Sequence, residues 1–259
     1  MRSLLLIATL GAAVVTNLPA QIPAEQPPTH HAPRTTHRPD STFHITPLRP
    51  VEVLRREALT RTPPPQADSL RAPDLVDLTT LDPGIKLDIR YATANNFMGA
   101  AMYSSARAFM QRPAAEALLR AHRALAAQGY GLLIHDAYRP WYVTWMFWEA
   151  TPPQYHGFVA NPARGSKHNR GCAVDLTLYD LATGLPVGMP STYDEFSERA
   201  HPDYAGGTPR QRELRDLLRR MMEAEGFSVD PGEWWHFDYR EWASYPVMNV
   251  RLEEVRGER

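Results

Sequence analysis

The stretch at residues 165–175 (Gly165, Ser166, Lys167, His168, Asn169, Arg170, Gly171, Cys172, Ala173, Val174, Asp175) constrains the fold more than any other part of the chain. It holds an imidazole and a carboxylate, two potential metal ligands, seven positions apart. That spacing is odd, so in an uninterrupted strand His168 and Asp175 would point to opposite faces. They meet only if the backbone turns or bulges between them, and Gly171 is the residue best suited to allow it. A further ligand, His236, and a candidate general base, Glu233, follow in the run Glu233-Trp234-Trp235-His236. Two His and one Asp around zinc leave one coordination position open for water, which is the arrangement of a catalytic site rather than a closed structural one.

Composition narrows the alternatives. Cys172 is the sole cysteine of 259 residues, which excludes an intramolecular disulfide framework and a thiolate zinc cage. Any metal must then be held by His and carboxylate. A net charge of -1 gives no electrostatic case for nucleic acid or an anionic membrane surface.

The first residues read as a targeting segment. Arg2 gives a positive start, residues 4–15 form an apolar run, and small residues follow at Ala20 and Ala24. The run is too short for a comfortable membrane span, and no cysteine follows it to carry a lipid. The expectation is a signal peptide over 1–24, with export to the periplasm or beyond and no membrane span in the mature chain. Residues 21–73 carry eleven of the 24 prolines and little apolar periodicity. This composition predicts a disordered linker over 25–73, with a short helix at 51–59. The folded domain is expected at 74–250 and a charged, solvated tail at 251–259.

Within the domain, alternation predicts a strand at 87–91, a loop at 92–105, a buried strand at 131–135 and a second strand at 172–179. Pro113 and Gly129 frame one helix, and an aromatic helix spans 141–149, its rings read as core. Thr208 as N-cap, Pro209 at the first position and the stop at Gly226 define another helix. Residues 227–239 read as a hairpin turning at Asp230-Pro231-Gly232. With no Gly-rich phosphate loop and hairpin-linked last strands, the expected fold class is α+β, a single domain whose mainly antiparallel sheet carries the metal site and is flanked by helices. Cys172 reads as a small buried filler, and His135 as structural.

The pattern Ser166-x-His168-x-x-Gly171-x-Ala173-x-Asp175, followed by Glu233-x-x-His236, resembles the zinc D-alanyl-D-alanine dipeptidases, the VanX-like group of peptidase family M15, within the larger set of D,D-peptidases and hedgehog-type domains. The resemblance spans residues 76–245 and includes Asp88-Ile89-Arg90-Tyr91-Ala92-Thr93, Asn96-Phe97 and Asp136-x-Tyr138-Arg139-Pro140. It implies one Zn²⁺ per chain on His168, Asp175 and His236, with Glu233 as general base and Arg139 steadying the oxyanion. It implies a small D,D-dipeptide substrate, with the Ser166 hydroxyl on the substrate and Asp194 receiving its ammonium. Tyr91 either lines that pocket or packs in the core. One departure stands beside Asp194: the family's glycine after the methionine is Pro190 here. The implied activity is hydrolysis of D-alanyl-D-alanine in peptidoglycan turnover. A D,D-carboxypeptidase or endopeptidase acting on stem peptides is the nearer alternative, and a zinc-binding module without catalysis the farther one.

Overall fold

In a computed structural model, residues 42–256 apart from Asp68 are described here. The expected signal peptide therefore lies outside the described residues, as does the first part of the expected linker. Seven strands and four α-helices lie among the described residues. Two short strands, β1 (Leu75–Asp77) and β3 (Phe109–Gln111), pair antiparallel. The main sheet has the order β2-β4-β5-β7-β6, from β2 (Lys86–Leu87), β4 (Tyr130–Asp136), β5 (Ala173–Asp180), β6 (Phe227–Asp230) and β7 (Glu233–Tyr239). All of its pairings are antiparallel except β2 with β4. The described residues thus form a single α+β domain, as the pattern predicts.

Each helix forms for a readable reason. Pro113 occupies the first turn of α2 (Arg112–Ala126), where a missing N–H costs nothing, and Ala114, Leu118, Ala121 and Leu125 supply its buried stripe. In α4 (Pro209–Ala224), Thr208 and Gln211 form a reciprocal capping box, and Leu214, Leu218 and Met222 face inward. Helix α3 (Trp141–Ala150) is apolar nearly all round and correspondingly buried nearly all round. Among the described residues no helix is long and apolar enough to cross a membrane.

Three expectations give way. The domain does not begin at Asp74. Residues 42–67 pack against it: Ile45 N–H donates to Phe97 C=O, Leu48 N–H to Ala150 C=O, and the Gln66 side chain bonds both ways with the Val247 backbone. Helix α1 (Val51–Ala58) buries Leu54 and Ala58 completely. A proline-rich composition removes backbone donors without removing apolar anchors, and a few anchors at helical spacing suffice to dock the segment. The tail is not wholly solvated either, since Leu252 and Val255 are buried. The strand expected at 87–91 is cut short: β2 ends at Leu87 and Arg90–Ala92 is a 3₁₀ turn. The turn brings the Tyr91 carbonyl to the N–H groups of Met102 and Tyr103, and its alternation reflects Ile89 and Tyr91 turning inward rather than a pleat.

Candidate active site

Strand β5 is the middle strand of the sheet, and the site grows from its first turn. Asp175 pairs directly with His236 on β7 and with Asp136 on β4, so one row across three strands carries two candidate ligands and a second carboxylate. Opposed residues in an antiparallel pair hold their Cβ atoms about 4.5–5.5 Å apart, near enough to share an ion. The register of β4 shifts between Ile134 and Asp136, an irregularity of the kind that re-aims a side chain beside a site.

His168 reaches the same place through the turn its spacing demands. It sits on a 3₁₀ turn, His168–Arg170, and Gly171 follows at φ 67°, in the left-handed region. A Cβ at Gly171 would also approach Leu75 Cδ2 to 2.7 Å, so both conformation and space call for glycine.

Three atoms then converge. His168 Nε2 lies 3.1 Å from His236 Nδ1 and 3.3 Å from Asp175 Oδ1, and His236 Nδ1 lies 3.0 Å from Asp175 Oδ1. The far nitrogens are engaged: His168 Nδ1 meets the Ala137 carbonyl at 2.6 Å, and His236 Nε2 meets Asp238 Oδ1 at 3.0 Å. Those contacts fix the tautomers that leave Nε2 of His168 and Nδ1 of His236 as lone pairs toward the centre. Asp175 Oδ1 is buried and accepts no hydrogen bond despite its neighbours. Such an atom calls for a cation. Tetrahedral zinc with ligands at about 2.0–2.1 Å sets its donors roughly 3.3 Å apart. The triangle matches, and the donor set suits zinc.

Electrostatics agrees. Burial would raise the Asp175 carboxyl, but His168 and His236 hold it well below the ordinary carboxylate range. Burial would lower His236, but Asp175 and Asp238 raise it well above the ordinary imidazole value. The geometry favours positive charge at the triangle, and a divalent ion binding there displaces the proton that otherwise supplies it.

The remaining expected residues line the same cleft, whose volume is about 630 Å³. Glu233 Oε2 lies 3.7 Å from His236 Nδ1. Burial raises the Glu233 carboxyl well above its ordinary value, with His236 opposing and Asp175 adding to it. Arg139 is buried and paired with Asp136: its Nε donates to Asp136 Oδ2 at 2.9 Å, and its Nη2 lies 2.8 Å from the same oxygen. Asp136 Oδ1 in turn accepts from the Tyr103 hydroxyl and the Ala137 N–H. The guanidinium is therefore fixed before any substrate arrives. Ser166 Oγ accepts from His168 N–H at 3.2 Å, a local loop bond that still leaves its O–H free to donate.

Asp194 is buried, and its Oδ1 accepts from the Tyr91 hydroxyl at 2.9 Å while Oδ2 has no partner. Burial first, then Asp175, pushes the Asp194 carboxyl up to about 8. Its φ of 59° makes it the sole non-glycine residue in the left-handed region among those described. Backbone held this way, at a cost of order 1–3 kcal/mol, is typical of functional sites. Tyr91 answers both of its readings, since its ring packs in the core against Phe147 and its hydroxyl reaches Asp194 in the cleft.

Two participants were not anticipated. Tyr193 donates its hydroxyl to Asp175 Oδ2 at 2.9 Å. Asp238 anchors His236 and is itself contacted by Lys167 Nζ. The shared face of His236 and Asp238 on β7 was a usable signal for Asp238. Tyr193 lies in an irregular loop that carries none.

The D-Ala-D-Ala dipeptidase profile of the Peptidase_M15 family matches residues 71–253. The chain belongs to this family. It is a hydrolase of the M15 metallopeptidases. A D-alanyl-D-alanine dipeptidase of Escherichia coli (strain K12) is 38% identical over 176 residues, covering 68% of this chain and 89% of that protein. A protein of the same name from Enterococcus faecium is 37% identical over 179 residues, covering 61% and 87%. Another from Streptomyces coelicolor is 34% identical over 190 residues, covering 65% and 92%. The family match begins at residue 71, so helix α1 and the segment around it lie outside it.

Proposed function

We propose that this protein is an exported, zinc-dependent D-alanyl-D-alanine dipeptidase that releases two D-alanines from the dipeptide during peptidoglycan turnover. One observation carries the choice of a dipeptide: the buried, unpartnered Oδ2 of Asp194 in the same cleft as the ligand triangle. A buried carboxylate oxygen without a partner is costly, and an ammonium satisfies it. Requiring a free amine there excludes longer or blocked peptides, because a site built around a polar group strongly rejects ligands that leave it unpaired.

His168 Nε2, Asp175 Oδ1 and His236 Nδ1 would hold the zinc. When bound, zinc supplies Lewis acidity and lowers the pKa of a water from 15.7 to about 7. Glu233 takes a proton from the attacking water and returns it to the leaving amine, a role its place in the cleft beside His236 suits. Arg139, immobilised by Asp136, faces the charge that develops on the peptide oxygen. The Ser166 hydroxyl donates to the substrate from the loop that carries His168. Export rests on the apolar run at residues 4–15.

A second reading has its own support. A cleft of about 630 Å³ falls within the range that accepts drug-sized ligands, which leaves room for a stem peptide and a D,D-carboxypeptidase activity. The test is D-alanine release from the free dipeptide and from its N-acetylated form, with zinc, by the wild type and Glu233→Ala. Cleavage of the free-amine dipeptide alone, lost in the variant, is the expected result. Equal cleavage of the acetylated form overturns the dipeptidase reading in favour of the carboxypeptidase. Zinc binding without cleavage of either would leave a binding module.

A further inference from the structure

The Asp175 carboxylate has two oxygens with different surroundings. Oδ1 faces His168 and His236, whereas Oδ2 accepts the Tyr193 hydroxyl at 2.9 Å and lies 3.7 Å from Arg139 Nη2. We propose that Tyr193 is a positioning residue, whose hydroxyl holds Asp175 Oδ2 away from the metal so that Oδ1 alone faces the ligand triangle. This rests on the reading that the triangle binds zinc.

The tyrosine is built to hold one orientation. It is buried, its ring stacks on His135 at 4.7 Å and 29°, and Trp235 meets it edge-on at 5.6 Å and 72°. His135 is itself backed by the Asp88 carbonyl at 3.3 Å. The hydroxyl donates to the carboxylate, and the two ring contacts keep it aimed there. Without that donor, Oδ2 has Arg139 Nη2 as its nearest cation, and the carboxylate is free to rotate toward it or to offer both oxygens to the metal. The left-handed backbone of Asp194 adds a further feature: consecutive side chains turn inward, Tyr193 to the metal ligand and Asp194 to the ammonium position. One short loop thereby sets the distance between metal and amine subsite.

The test is Tyr193→Phe in the full chain, which keeps the ring contacts and deletes one oxygen. Zinc affinity is read by competition with a chromogenic chelator, and coordination by the visible spectrum of the cobalt-substituted protein. Outer partners of metal ligands are typically worth 10–100-fold in affinity. The expected result is zinc binding weaker by about that factor and an altered cobalt spectrum, with near-UV circular dichroism unchanged. Tyr91→Phe, which deletes a hydroxyl bonded to Asp194 instead, is expected to leave zinc affinity within about twofold. Unchanged zinc affinity and cobalt spectrum in Tyr193→Phe overturn the proposal, as does an equal loss in Tyr91→Phe. Failure of the wild type to bind zinc at all would instead overturn the metal site itself.

Discussion

Single residues at this site carry energetic debts that can be read out. Asp194 has its carboxyl pushed up to about 8 by burial, from an ordinary value near 3.8. The sign follows from linkage: the folded state holds the proton that the unfolded chain gives up, so this contribution to stability is full below about 3.8 and is lost as pH rises to 8. An amide in its place cannot ionise. In chelator-treated protein, Asp194→Asn is therefore expected to gain stability relative to wild type as pH goes from 4 to 8, measured by urea unfolding. A constant difference across that range would mean the carboxyl is not held neutral. Gly171 is the complementary case, where backbone rather than charge is at stake. Gly171→Ala meets both the left-handed penalty of about 1–2 kcal/mol and a contact with Leu75 at 2.7 Å. A loss of roughly 1–3 kcal/mol in urea unfolding, accompanied by weaker zinc binding, is the expected outcome. This glycine, with His168, Asp175, Glu233 and His236, was legible in the sequence because the motif states its own geometrical problem. Tyr193 was not, because a contact between an irregular loop and a strand 18 positions away leaves no periodic trace.

At the scale of elements, the hairpin β6–β7 and helices α2, α3 and α4 fell where caps, prolines and apolar spacing put them. The segment ahead of β1 formed its expected short helix as α1, but not the disorder expected around it. Its prolines dominated the composition, whereas Val51, Leu54 and Ala58 already stood at helical spacing on the inner face of α1. The consequence reaches the cleft. Phe43 packs on Phe196 at 5.0 Å, and Phe196 lines the pocket and stacks on Phe158 at 4.7 Å. The segment outside the family match thus buttresses one aromatic wall of the site. Leu54 is fully buried where α1 meets α3, so Leu54→Ala is expected to cost about 2–5 kcal/mol in urea unfolding. A cost below about 0.5 kcal/mol would show that the segment rests on the domain without belonging to it.

For the whole molecule, the ligand triangle links distant parts of the chain: a turn at residue 168, the central strand at 175 and the penultimate-to-edge strand at 236, each supported by its own neighbours. In the unfolded chain these groups are scattered, so an ion that needs all three binds the folded state almost exclusively. Its free energy then becomes folding free energy, by about 2.7 kcal/mol at a free concentration one hundred times the dissociation constant. For a domain of this size each kcal/mol moves Tm by about 2–4 °C. Saturating zinc is therefore expected to raise Tm by roughly 5–11 °C over chelator-treated protein, read by thermal circular dichroism. The increment should vanish in His168→Ala, whose remaining two ligands no longer close the site. An equal increment in that variant would place the ion elsewhere, and the half-buried Asp230 and buried Asp238 beside His236 would be the first place to look.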